Sequence, residues 1–202
     1  MTHSRSALVI LLSVAAVAGG CARIPTTHFY VLELRDQSGN PPNPRDGLTI
    51  GVKAFHVDPP YDQDRIVYRI GEASPEVGFY AYHRWAAPLA RLVPRVVADG
   101  LGPTPGVQVM EPVVPGRDYQ AYLTGRLLVL EEIDEPAGQR VRVRIELILR
   151  SADGAELWSE ALSGEATTQS DQVDAVVAEM SQVLSRAIRD ARDGLGRALE
   201  RH

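Results

Sequence analysis

The sequence predicts an α+β domain: a mainly antiparallel sheet with two main helices packed against it, in the order ββββ-α-βββ-α. Three observations carry that reading. Residues 140–150 alternate strictly, with Val141, Val143, Ile145 and Leu147 on one face and Arg140, Arg142, Arg144 and Glu146 on the other. In 85–101 the apolar spacing changes to three and four, through Trp85, Leu89, Leu92, Val93, Val96, Val97 and Leu101. The same spacing returns near the end in Val173, Val176, Val177, Met180, Leu184, Ala187, Ile188 and Ala191. Runs of strands followed by single helices favour antiparallel pairing over a wound parallel sheet.

Ahead of the domain stands a leader. Arg5 precedes the apolar run Ala7–Val17, and Gly19-Gly20 lead to Cys21, the only cysteine. A basic start, a short apolar stretch and small residues at the cut are the layout of a secretory signal. The apolar run falls short of the roughly 20 residues a spanning helix needs. The chain therefore divides into a signal peptide (1–20), Cys21 with a short tether (21–27), and a single domain (28–202). Ala18-Gly19-Gly20-Cys21 resembles a bacterial lipobox, with Ala18 where leucine is usual. That resemblance implies cleavage before Cys21 and acyl chains, palmitate among them, on its sulfur and amine. A lone cysteine in an exported chain has no partner within the chain for a disulfide. Each buried CH₂ contributes about 0.8 kcal/mol, so two or three chains hold where one does not. Ala22 follows the cysteine; in such lipoproteins the absence of aspartate there favours the outer membrane, facing the periplasm. The tether Ala22–Thr27 spans at most about 20 Å, so a partner in the inner membrane has to reach the domain.

Composition narrows the function. The 202 residues carry a formal charge of −5, and the leader holds one basic and no acidic side chain, so its removal leaves a more acidic protein. That argues against nucleic acid as a partner. Every basic residue except Lys53 is arginine. No second apolar run is long enough to span a bilayer.

The elements follow in order. His28–Leu34 reads as the first strand, rich in aromatic and branched residues. Arg35–Gly47 holds Gly39-Asn-Pro-Pro-Asn-Pro44, a loop. Leu48–Phe55 is the second strand, ended by Pro59-Pro60. Arg65–Ile70 is the third, with Ile66, Tyr68 and Ile70 on one face, and Val77–Ala81 the fourth. The first helical stripe begins at Trp85; Pro94 is expected to kink or split it, and Gly100 and Gly102 to end it. After a Pro/Gly loop, Tyr119–Glu132 and Arg140–Arg150 form a hairpin across 133–139. This arrangement sets Glu131, Glu132, Asp134 and Glu135 against the arginine row. Arg140, Arg142 and Arg144 then read as a solvated face paired across strands, or as an anion-binding row. Asp153-Gly154 makes a tight turn, and Glu156–Gly164 returns with Trp158. Asp171 is a fair N-cap for the last helix, which to Asp193 is about 34 Å long.

Catalytic and ligand-binding motifs are missing. The histidines (3, 28, 56, 83 and 202) are scattered, and no HExxH or Cys/His spacing suggests a metal. There is no Walker loop, dinucleotide fingerprint or GxSxG turn. Asp62 and Asp64, beside Pro60 and Arg65, read as turn formers and local ion partners rather than a carboxylate pair. The expectation is a protein that is not an enzyme and needs no cofactor.

Four stretches then fall in a telling order. They are Thr26-Thr27-His28-Phe29-Tyr30-Val31-Leu32; Pro60-Tyr61-Asp62-Gln63-Asp64-Arg65-Ile66-Val67-Tyr68-Arg69; Tyr82-His83-Arg84-Trp85-Ala86-Ala87-Pro88-Leu89; and 178–188 of the last helix. Together they resemble the ABC-type transport auxiliary lipoprotein family, which includes the outer-membrane lipoprotein of the paraquat-inducible MCE transport system. The Arg84-Trp85-Ala86 and Pro88-Leu89 pattern is the most specific of them. Asp62-Gln63 before Asp64-Arg65 departs from the family's pattern.

The resemblance implies an accessory or docking subunit that works with an MCE-domain periplasmic protein and its inner-membrane transporter. By analogy it also admits a homo-oligomeric ring. Arg84 and Trp85 are the candidate partner interface, since both types anchor interfaces; the other reading of Trp85 is a plug between helix and sheet. A monomeric lipid carrier is the alternative and requires an enclosed apolar pocket of several hundred Å³. A hydrolase requires a nucleophile and base in contact.

Overall fold

The alternating stretch 140–150 is the middle of the longest ladder in the molecule. The computed structural model describes residues 25–33, 47–102, 107–168 and 170–201. The leader, Cys21, most of the tether and the loop 35–46 lie outside the described residues. Among the described residues, nine strands form one sheet: β1 (His28–Tyr30), β2 (Leu48–Val52), β3 (His56–Val57), β4 (Arg65–Ile70), β5 (Val77–Trp85), β6 (Val107–Met110), β7 (Ala121–Glu135), β8 (Gly138–Ser151) and β9 (Glu156–Thr167). The same residues hold two helices, α1 (Leu89–Leu101) and α2 (Val173–Leu199).

The α+β class is as expected, and the sheet is mixed. The two long ladders, β7–β8 and β8–β9, are antiparallel. The other edge of β7 is shared in succession by β2, β3 and β4, all parallel to it. Strand β5 pairs antiparallel with β4, and β1 and β6 extend the sheet in parallel with β5 and β2. The expected strand 48–55 ends at Val52, and a second short strand, β3, follows beyond Phe55. Between them Lys53 still donates its N–H to the Leu123 carbonyl at 2.9 Å, while Phe55 turns toward α1. The four-residue β6 falls in a stretch read as loop.

Strand β1 stops at Tyr30 rather than Leu34 because its partner ends: Tyr30 lies opposite Trp85, the last residue of β5. Trp85 is thus a strand residue, and the helix begins four positions later behind Pro88. Pro94 neither ends nor splits α1. A proline leaves the carbonyl four residues back without its helical donor. That carbonyl, on Ala90, accepts instead from the Phe55 N–H at 3.4 Å. The far end of α1 is held from outside, where Arg192 of α2 donates to the Gly100 carbonyl at 2.7 Å. The last carbonyls of a helix lack their usual helical donors; this contact adds to the local cap, in which the Gly102 N–H donates to the Asp99 carbonyl at 3.1 Å.

Helix α2 starts after Gln172 rather than Asp171, without a side-chain cap, and runs on past Asp193 through Gly194 and Gly196. Its 27 residues span about 40 Å. Gly194 sits where the helix crosses β9: a Cβ there would stand 2.9 Å from a Glu160 carboxylate oxygen and 3.2 Å from the Trp158 indole nitrogen. Beyond it, Leu195, Ala198 and Leu199 continue the buried stripe.

Both helices pack on the sheet and on each other, with Ile188 against Gly100 at their crossing. Between the layers lie Leu123, Leu127, Leu130, Ile145, Leu147, Leu149, Met180 and Leu184, all essentially without solvent contact. Burying each such side chain contributes about 1.5–3 kcal/mol. At Gly125 the close neighbour is backbone: an added Cβ would lie 2.3 Å from the Glu146 carbonyl oxygen and 2.5 Å from the Phe55 ring. Backbone cannot yield as a flexible side chain can. Gly125→Ala is expected to lower stability by about 2–3 kcal/mol, the upper range for overpacking, read as a shift of the urea midpoint at constant slope.

Candidate partner-facing site

Arg84 and Trp85 are neighbours in β5, so their side chains leave opposite faces of the sheet. Trp85 turns inward and is 3% exposed, part of the core. Its backbone N–H donates to the Asp64 carbonyl at 2.6 Å, and the Ala86 N–H to the Tyr30 carbonyl at 2.7 Å. These bonds tie β5 to the ends of β4 and β1. Arg84 turns outward and meets the Asp64 carboxylate at 2.5 Å at the surface. The candidate pair thus divides: the tryptophan is an internal plug, and the arginine is the accessible member. Asp64 has the local ion-pairing role read for it, with Arg84 rather than the adjacent Arg65.

The inner face beside Trp85 carries an aromatic and histidine group. The His28 and His83 rings stack 5.2 Å apart, and Tyr30 Oη lies 2.8 Å from His83 Nδ1. Tyr80 meets His83 edge-on and Tyr68 at 5.1 Å. Burial, then the neighbouring His28, pushes the His83 ring below its ordinary value. An open cleft of about 410 Å³ borders this group, with Gln172 and Asp174 at the start of α2 on its other side.

Behind Tyr80 lies Glu132, 1% exposed. Tyr80 donates its hydroxyl to Glu132 Oε2 at 2.7 Å, and Oε1 has no partner among the described residues. Burial raises this carboxyl above its ordinary value, against the opposing effect of the tyrosine. The folded protein therefore keeps the proton to a higher pH than the unfolded chain. The stability this group contributes is fully present below the ordinary glutamate range, near 4.3, and is lost as pH rises from there through the raised value. Glu132→Gln is expected to remove this fall: relative to wild type, the variant gains stability between acidic and neutral pH. Urea midpoints of both proteins across that range check it.

On the outer face the arginine row is paired. Arg140 contacts Glu72, Glu135 and Glu165, and Arg142 bridges Glu72 and Glu165. Only two of the four acids expected on this face reach the row, Glu135 and, at 3.9 Å from Arg142, Glu131. A bulge near Leu127–Val129 sets Glu132 opposite inward-facing Val141 and Asp134 opposite Gln139. Glu72 and Glu165 come from elsewhere in the chain, and no local signal announces them. Arg144 makes no ion pair among the described residues and borders an open cleft of about 640 Å³ with Glu72 and Ser163. Glu131 also has a larger role inside: it accepts from the Tyr61 hydroxyl at 2.7 Å and from Arg69 at 3.1 and 3.3 Å.

Among the described residues, no three His, Cys, Asp or Glu side chains gather as metal ligands, and no helix is long and apolar enough to cross a membrane. The described residues form an α+β domain with a buried apolar interlayer and a charged, ion-paired outer face. It belongs to the family of the ABC-type transport auxiliary lipoprotein component, whose model matches residues 30–191. Two crystal structures share the fold. One is of an uncharacterised protein, with 17% identity, a TM-score of 0.67, and coverage of 85% of this chain and 99% of that one. The other is of a Xanthomonas campestris protein of the family designated DUF330, with 15% identity, a TM-score of 0.68, and coverage of 86% and 98%. No curated protein matches the sequence.

Proposed function

We propose that this transport auxiliary lipoprotein is a non-enzymatic docking subunit. It is held by acylated Cys21 in the outer membrane, faces the periplasm, and receives an MCE-domain protein of an ABC-linked system that moves lipid between membranes. Membership of the family supports the transport role, and the lipobox-like sequence supports the anchor. The observation that favours docking over carrying is the buried apolar interlayer. A carrier of this fold would hold its lipid between sheet and helices, where Leu123, Leu127, Leu147 and Met180 already interlock without solvent contact. The two clefts described above are open and bordered by charged and polar groups such as Arg142, Arg144 and Asp174.

Native mass spectrometry of the chain beginning at Ala22 tests this. A docking subunit is expected to fly without bound lipid after purification from cells. A stoichiometric phospholipid on the domain would overturn docking in favour of a lipid carrier.

A further inference from the structure

We propose that the edge of the sheet formed by β1 and the end of β5 seats on the bilayer interface, with Phe29 and Val31 dipping among the lipid headgroups. Five large apolar side chains are exposed among the described residues: Phe29, Val31, Ile70, Tyr82 and Val114. Three of them, Phe29 (66% exposed), Val31 and Tyr82, cluster on β1, the residue following it, and β5. β1 pairs only with β5 among the described residues, so it is an edge of the sheet. Its other face is committed inward, where His28 and Tyr30 stack on His83. Phe29 lies in register beside Arg84, which holds the Asp64 carboxylate, and Arg84 lies beside Arg65, so two arginines stand on the β5 and β4 side of the apolar tip. Exposed aromatic and aliphatic groups rimmed by arginine are the chemistry of an interfacial contact, the apolar part entering about 5–10 Å and the cations meeting phosphates.

The position of the patch in the chain names the occupant. Phe29 is eight residues beyond Cys21, a reach of at most about 28 Å for a fully extended chain. An anchor at Cys21 keeps this edge within about 28 Å of the membrane. The proposal rests on that reading of Cys21. It orients the domain: β9, at the far edge of the sheet, and the long β7–β9 ladder then point into the periplasm toward an arriving partner.

Because Cys21 is the only cysteine, the lipidated protein offers no free thiol and a single new cysteine can be labelled uniquely. Full-length Phe29→Cys, Val31→Cys and, on β9, Ser159→Cys carry an environment-sensitive fluorophore. They are reconstituted in vesicles of phosphatidylethanolamine and phosphatidylglycerol containing nitroxide-labelled lipid. The expected result is co-flotation of all three proteins, with blue-shifted, quenched emission at 29 and 31 and unquenched emission at 159. Co-flotation without quenching at 29 and 31 overturns the seating while leaving the anchor intact. Protection of 29 through energy transfer between copies, without lipid quenching, overturns it in favour of a second copy at this edge. Wild-type protein that does not float overturns the anchor and the seating with it.

Discussion

Glu131→Ala is expected to lower the stability of the domain by about 3–5 kcal/mol, the cost of breaking a buried pair from one side. The Glu131 side chain is 2% exposed and accepts from both Arg69 and the Tyr61 hydroxyl. Truncation leaves the Arg69 guanidinium, itself only 18% exposed, and the buried Tyr61 hydroxyl without their acceptor. Burial, reinforced by Glu131, holds the Tyr61 hydroxyl well above its ordinary value, so it stays a neutral donor. Tyr61→Phe removes one donor and spares the ion pair; its expected cost is about 1–2 kcal/mol. The two changes act on one network, so their effects in the double variant fall short of additive. Urea unfolding of the four proteins checks the cycle. A loss of less than about 1 kcal/mol for Glu131→Ala would contradict a supporting role for the pair.

Trp85→Ala carries an equally large expected cost, about 3–5 kcal/mol, because it empties a core position the size of an indole. Trp85 is 3% exposed and closes β5 where β1, β4 and the approach to α1 meet. Arg84→Ala, one residue earlier, breaks only a surface pair with Asp64 and is expected to change stability by less than about 1 kcal/mol. The contrast separates the two meanings of the Arg84-Trp85 motif. If Trp85 were an anchor on a partner's surface, Trp85→Ala would unfold at the wild-type urea concentration and lose only partner capture.

The sequence made the class, the two helical stripes and the β7–β8 hairpin legible, because each rests on a local period. Val141, Val143, Ile145 and Leu147 fall inside as the alternation requires. What it hid is non-local. Parallel pairing of β2, β3 and β4 with one edge of β7 depends on where crossovers return, and no period records that. A three- to five-residue strand such as β1 or β6 is too short to show one. Pro94 is accommodated because Phe55, far away in sequence, takes the carbonyl it frees. Gly194 lies inside α2 because Trp158 and Glu160 press on it. The Arg84-Trp85 motif was legible as residues, but its split between surface and core needed the register of β5 with β1. The network of Tyr61, Arg69 and Glu131 joins two separate stretches, and only the fold brings them together.

Membrane fractionation with crosslinked capture, comparing wild type with Cys21→Ala in cells, tests the proposed anchored docking role most directly. The expected result is wild type in the outer-membrane fraction, crosslinked to an MCE-domain protein, and the variant released from the membrane. A wild-type protein found soluble, or one that is membrane-bound and captures lipid without any MCE-domain protein, would contradict the account.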